Sequence, residues 1–139
     1  MKHTIVIIDD DEVIRLMLQE VLKNEGLRIV TFADCQQALD YIENNQVAVV
    51  VTDIMLPGMK GNELIKDIRE RNAFVQIVVV TAYPTLALFL ELGELGVADV
   101  LIKPSDCDEV LEVILSALKR HMRWQILKRS YVNHKKFAV

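Results

Sequence analysis

Val47-Ala48-Val49-Val50-Val51-Thr52-Asp53-Ile54-Met55-Leu56-Pro57-Gly58 decides how the chain folds. A run of β-branched residues ends in one carboxylate, and a Pro-Gly turn follows. Such a run predicts a strand buried on both faces, as in a parallel sheet. Asp53 then stands at the strand's C-terminal end, where open α/β sheets bind their ligands.

The pattern repeats on either side. Thr4–Ile8 is a short apolar strand ending in Asp9-Asp10-Asp11. A helix follows, capped by Asp10 or Asp11, with Val13, Ile14, Met17, Leu18, Val21 and Leu22 at helical spacing. Gly26 suits its C′ position. Leu27–Phe32 is a second strand, and Asp34 caps a second helix that ends near Asn44-Asn45. Asn62–Arg71 is a helix with Leu64, Ile65 and Ile68 inward, and Gln76–Thr81 is a fourth strand. Thr85 to about Leu95 is helical, with Pro84 at its first position. Val100–Ile102 is a fifth strand, and Ser105 or Asp106 caps a helix running past Leu118. Alternation of this kind predicts a doubly wound five-stranded parallel sheet, order 2-1-3-4-5, with helices on both faces and right-handed crossovers.

The 139 residues suffice for one domain with a sizeable core, and 52% apolar content argues against disorder. No apolar run reaches membrane-spanning length. The N-terminal apolar run meets Asp9 too soon for a signal peptide, so a cytoplasmic location is expected. Cys35 and Cys107 lack metal spacing and read as free thiols. The net charge of −4 hides an asymmetry. All 20 acidic residues lie at or before Glu112. The first 118 residues hold nine basic groups against those 20, leaving −11, while residues 119–136 carry +7. An acidic body argues against binding a phosphate backbone.

Four polar features end four strands: Asp9-Asp10, Asp53, Thr81 and Lys103. In the expected order, strands 1 and 3 are neighbours, which brings Asp9, Asp10 and Asp53 together. Three carboxylates in one pocket repel each other and resist ionisation. A hard divalent cation resolves this, and Mg²⁺ favours one or two carboxylates, waters and a phosphate oxygen. Lys103 adds a mobile positive charge and Thr81 a hydroxyl donor. The set suits phosphoryl transfer onto Asp53.

These pieces resemble the receiver domains of two-component response regulators over residues 3 to about 119. They are Ile5-Val6-Ile7-Ile8-Asp9-Asp10, Val51-Thr52-Asp53 through Gly61, Val78-Val79-Val80-Thr81-Ala82-Tyr83, and Leu101-Ile102-Lys103-Pro104. The resemblance implies that Asp53 accepts a phosphoryl group from a histidine kinase or phosphotransfer protein. It implies Mg²⁺ held by Asp10, Asp53 and the Met55 backbone carbonyl, with Asp9 acting through water. Thr81 and Lys103 would contact the phosphoryl oxygens, and a cis Lys103–Pro104 peptide would place the lysine. Where the family carries Tyr or Phe, three residues before the lysine, this chain has Val100. With no ring there to swing inward, Tyr83 is the candidate substitute and Thr81 the expected mover. Output is expected through the loop after the fourth strand and the face of the fourth helix, fifth strand and fifth helix, which is also the candidate homodimer face.

Two other functions compete. A degenerate receiver would act only as a scaffold, against which the complete acidic set and lysine stand. An aspartyl-nucleophile phosphohydrolase would place an acid two residues beyond the nucleophile, and that position is Met55, which transfers no proton. A switch rather than a turnover enzyme is expected. The fourth helix carries two apolar stripes: Leu86, Phe89, Leu90 and Gly93, and Leu88, Leu92 and Leu95. One must reach solvent or a partner, and polar replacement of Leu88 and Leu92 is expected to weaken association without unfolding. Residues 120–139 form a basic extension, read as a helical linker to an output module or a docking tail. No recognition motif supports nucleic-acid binding there, and no Gly-x-Gly-x-x-Gly supports a dinucleotide enzyme.

Overall fold

The computed structural model describes residues 2–137, with side chains described through residue 134. Ala138 and Val139, the end of the expected extension, lie outside the described residues. The elements run β1 (Thr4–Ile8), α1 (Glu12–Leu22), β2 (Arg28–Phe32), α2 (Cys35–Asn44), β3 (Val49–Asp53), β4 (Met55–Leu56), β5 (Met59–Lys60), α3 (Gly61–Arg71), β6 (Gln76–Thr81), α4 (Leu86–Glu94), β7 (Asp99–Ile102) and α5 (Cys107–Phe137). β2-β1-β3-β6-β7 form one five-stranded sheet with every pair parallel. Counting only its five members, this is the expected order 2-1-3-4-5.

Period-two alternation sorts the strands between two cores. Val6, Ile8, Val50, Ile77 and Val79 face one way and bury Ala38, Leu39 and Ile42 of α2, Leu64, Ile65 and Ile68 of α3, and Leu92 of α4. Ile5, Ile7, Val49, Val51, Val78 and Val80 face the other way, against Leu18 and Leu22 of α1 and Val110, Ile114 and Ala117 of α5. Each fully buried aliphatic side chain stabilises the fold by roughly 1.5–3 kcal/mol. That is why the central strands carry almost nothing polar before their C-terminal ends.

The helix starts follow from side-chain caps. The Asp11 carboxylate accepts from the Val13 N–H, and Asp34 from Gln36 and Gln37. The Asp106 carboxylate accepts from Asp108 N–H, while Ser105 donates its hydroxyl to the Ile102 carbonyl. Two boundary expectations need correction. Gly26 is left-handed, with φ 67°, but α1 already ends at Leu22 with Lys23 as its C-cap. The Glu25 N–H bonds the Leu22 carbonyl, tightening the last turn and moving the glycine into the loop. Pro84 precedes the helix instead of starting it, because the Thr85 hydroxyl accepts from Leu88 N–H and takes the N-cap position.

Two features lay beyond the strand–helix alternation. The Pro57-Gly58 turn closes a small hairpin, with Met55 paired to Lys60 and Leu56 to Met59. Gly58 has φ 84°, which glycine adopts without the Cβ penalty of other residues. Of the two α4 stripes, Leu88, Leu92 and Leu95 pack on the core, and Leu86, Phe89 and Leu90 are exposed. The expectation that Leu88 and Leu92 are a dispensable surface pair is therefore overturned. Leu92 is fully buried, so polar replacement there would strand a polar group in the core.

Gly61 opens α3 directly under the hairpin. A Cβ there would lie 2.6 Å from the Ile54 Cβ and 3.0 Å from the Ile54 carbonyl oxygen. Ala at this position pushes the segment after Asp53 outward. Gly61→Ala is expected to cost about 1–3 kcal/mol in urea unfolding. Combination with Ile54→Gly, which removes the Ile54 Cβ, should recover part of that loss, and purely additive costs in the double variant would refute the contact as the cause.

Candidate functional site

Strand register assembles the site. Ile8 pairs with Thr52 across β1 and β3, so the next residues, Asp9 and Asp53, emerge side by side at the sheet edge. Thr81 pairs with Ile102, and the Lys103 N–H donates to the Thr81 carbonyl at 2.8 Å, placing the lysine one step beyond the threonine. All the residues singled out by their positions at strand ends therefore meet at one end of the sheet. Asp9 and Asp53 are 2% and 8% exposed, while Asp10 lies open to solvent. Carboxylate oxygens of Asp9, Asp10 and Asp53 lie within 4.8 Å of one another.

Lys103 is the centre of the charge arrangement. Its Nζ donates to Asp53 Oδ2 at 2.7 Å and to Asp9 Oδ2 at 3.1 Å. The Lys103–Pro104 peptide is cis, as the resemblance implied. The remaining oxygens are held by backbone: Asp9 Oδ1 accepts from Asp11 N–H at 2.9 Å, and Asp53 Oδ1 from Met55 N–H at 2.8 Å. Burial pushes the Asp9 carboxyl above the usual carboxylate value of 3.8, and the Asp53 charge adds to this. The Asp11 N–H and Lys103 oppose the rise without cancelling it. Burial pushes Lys103 down, but its bonds to Asp53 and Asp9 outweigh that and leave it above its ordinary 10.5.

The donor set fits a hard divalent cation. It offers only oxygen ligands and negative charge, and one of its carboxylates carries a burial cost that a cation would relieve. Met55 begins the hairpin beside Asp53, and its side chain is exposed over the rim.

Thr81 is buried, and its hydroxyl oxygen accepts from the Tyr83 N–H at 3.1 Å. That leaves the hydroxyl hydrogen free to point at an incoming acceptor. The Tyr83 ring is 69% exposed, and Val100 is packed against the core formed with α2, α3 and α4. One positioning residue escaped the sequence reading. Arg15 of α1 donates to the Asp9 backbone carbonyl at 2.8 Å and so fixes the end of β1. Its only signal is a basic residue in the early turns of a helix that opens with three acids.

The response regulator receiver domain family matches residues 5–115. The chain belongs to that family. It is 33% identical over 114 residues to the sporulation initiation phosphotransferase F of Bacillus subtilis (strain 168), covering 82% of this chain and 92% of that protein. It is 31% identical over 127 residues to the DNA-binding transcriptional regulator NtrC of Klebsiella pneumoniae, covering 91% of this chain but 27% of the regulator. This chain thus spans nearly all of one relative and about a quarter of the other. Among solved structures, the CheY-like response regulator receiver domain protein of Methanospirillum hungatei JF-1 superposes with a TM-score of 0.83 at 27% identity, covering 88% of this chain and 98% of that one. As a receiver domain, the chain is a phosphorylation-controlled switch of two-component signalling. Receiver domains generally act as switches without turnover and take Mg²⁺ in an acidic pocket.

Replacing Lys103 with Met leaves two buried carboxylates facing each other without a cation. In metal-free buffer at neutral pH, this is expected to lower stability by about 1–2 kcal/mol. The pH dependence has a definite sign. A lysine raised in the folded state stabilises fully below its ordinary value, and that stabilisation is lost as pH rises past it. Asp9, raised in the folded state, costs stability as pH climbs from 3.8 through its folded value. Lys103→Met should therefore steepen the loss between acid and neutral pH and flatten the alkaline one. Parallel stability–pH curves for the two proteins in urea unfolding would refute this arrangement of charge.

Proposed function

We propose that Asp53 is the phosphoacceptor of this receiver and that a histidine kinase or phosphotransfer protein supplies the phosphoryl group. The observation that carries the reading is the ammonium of Lys103 bridging Asp53 and Asp9 at the ends of adjacent parallel strands. A carboxylate oxygen of Asp53 attacks phosphorus, the bond between phosphorus and the donor nitrogen breaks, and an acyl phosphate remains. Lys103, already beside Oδ2, moves with the negative charge onto the phosphoryl oxygens. Thr81 donates its free hydroxyl hydrogen to one of those oxygens. Met55 N–H holds the other side of the carboxylate and keeps its plane aligned. Mg²⁺, when bound by Asp9, Asp10, Asp53 and the Met55 carbonyl, would neutralise the charge of the incoming group.

The same geometry supports a route outward. Thr81 is tied to Tyr83 N–H, so a threonine drawn to the phosphoryl group pulls on the loop before α4. Val100 supplies no ring, which leaves Tyr83 as the mobile aromatic. Leu86, Phe89 and Leu90 of α4, with the exposed Ile102 of β7, form the apolar face that a second copy or a target would cover. On the other side of the site, Val13 and Leu16 are exposed on α1, whose N-terminus adjoins Asp9 and Asp10; this surface suits the phosphodonor protein. Residues 1–119 are read as the receiver and 120–139 as an extension or linker, the described part of which continues α5 to Phe137. Among the described residues, no helix is long and apolar enough to cross a membrane; the cytoplasmic location we propose rests on membership of the receiver family. Met55 cannot serve as a general acid, so the switch reading stands over a phosphohydrolase.

Incubation with acetyl phosphate and Mg²⁺ is expected to add one phosphoryl group by intact mass, and Asp53→Ala to abolish it. A full phosphoryl group on that variant would move the acceptor elsewhere. Thr81→Ala should still accept the group but lose most of the accompanying change at Tyr83 and α4, read by backbone amide shifts with beryllofluoride. For the α4 face, Leu86→Ser with Leu90→Ser should reduce beryllofluoride-induced self-association in sedimentation while leaving the urea midpoint nearly unchanged. Unchanged association would remove α4 from the interface.

A further inference from the structure

The sheet end opposite the phosphoacceptor is basic, although the body of the chain is acidic. α5 continues past the domain's last core residue, Ala117, and lies beside the starts of β1 and β3 and the loop before β6. Between them is a cavity of about 530 Å³. Its walls carry Lys2, His3, His121, Gln125, Lys128 and Arg129, with the Asn72 and Gln46 amides beside them. No carboxylate lines it among the described residues. What marks the cavity out is the gathering of Lys2, Lys128 and Arg129 with His3 and His121 around one hollow.

His121, His3 and Lys128 are held by ring and backbone contacts. His121 is buried, and its Nδ1 lies 3.2 Å from the Phe74 carbonyl, leaving the other ring nitrogen free of that contact. The His3 ring meets it edge-on at 6.2 Å between centroids. Lys128 sits 4.8 Å over the Phe74 ring, and Trp124 packs on the same ring at 5.8 Å. Burial pushes His121 below its ordinary value, the Phe74 carbonyl acts against this, and the neighbouring His3 and Lys128 push it down further.

We propose that this cavity binds a small polyanion carrying at least two phosphate groups, bridging the N-terminal end of the sheet and the α5 extension. Its volume falls in the range of small-molecule sites and exceeds what one phosphate fills. Arg129 offers a planar fork for phosphate oxygens, Lys128 and Lys2 offer point charges, and the amides offer neutral donors. The concave shape disfavours an extended nucleic acid, whose backbone needs a long basic track. The site lies a five-residue strand away from Asp53, on the order of 16 Å. It is independent of phosphoryl transfer at that residue.

The chain contains one tryptophan, Trp124, and it rests on the Phe74 ring that lines the cavity. Its fluorescence is therefore the readout. The full chain is titrated with inorganic pyrophosphate in metal-free buffer at constant ionic strength. A saturable change is expected, with amide shifts centred on His3, Gln46 and Phe74. The exposed side chains of Lys128 and Arg129 allow Lys128→Gln and Arg129→Gln to fold normally, checked by circular dichroism; each should weaken binding about tenfold. A flat titration, shifts centred on Asp9, Asp53 and Lys103, or full affinity in both variants overturns the proposal. So does tighter binding of a glutamate-rich peptide than of pyrophosphate, which would assign the cavity to an acidic protein segment.

Discussion

Two carboxylates buried at the ends of neighbouring strands repel one another, and a single ammonium holds them. Asp9 and Asp53 must lie close because β1 and β3 are adjacent and in register. They must be nearly buried because helices cover both faces of a parallel sheet. Burial, with the Asp53 charge beside it, holds the Asp9 carboxyl above its ordinary value. The bridge from Lys103 keeps negative charge available at this edge, and the backbone N–H groups of Asp11 and Met55 hold the remaining oxygens. The hairpin after Asp53 and the close contact of Gly61 with Ile54 then keep the Met55 amide where it is needed.

The same constraint shapes the proposed signalling route. A charge arrangement balanced by one mobile cation responds strongly when a further anion arrives. Thr81 sits on the adjacent strand with its hydroxyl oxygen accepting from the Tyr83 amide, so displacement on one side is felt on the other. Val100 is packed into the core and carries no group able to swing. The path therefore leads into the loop before α4. That helix presents Leu86, Phe89 and Leu90 to solvent while Leu88, Leu92 and Leu95 anchor it. A helix anchored along one stripe can shift its outer face without unmaking the core.

The molecule has two electrostatic poles. Acidic groups collect where the strands end, and basic groups gather where they begin, around the extended α5. Parallel topology separates the two poles, because every strand starts at one edge and finishes at the other. α5 crosses the sheet along its length, with its apolar residues on the core near its start and its basic residues beyond the opposite edge. Lys128 and Arg129 of the extension thereby line a cavity at the edge remote from Asp53.

The sequence by itself determined the sheet. β-Branched runs ending in polar residues have few ways to be buried, and alternation with amphipathic helices leaves essentially one sheet order. The candidate site was legible as well, since Asp53 and Thr81 end β3 and β6 while Asp9 and Lys103 directly follow β1 and β7. Helix boundaries were less legible, because Thr85 and Pro84 compete for the same helix start and only the hydroxyl contact resolves it. Which α4 stripe turns inward was decided by packing, as both stripes are apolar and only the neighbouring β6 and α3 surfaces distinguish them. Tertiary structure alone brought Arg15 onto the Asp9 carbonyl, Gly61 against Ile54, and Lys2 into the same cavity as Arg129. The first two pairs are close in sequence but separated by a loop, and the third joins the two ends of the chain, so no helical or strand period encodes them.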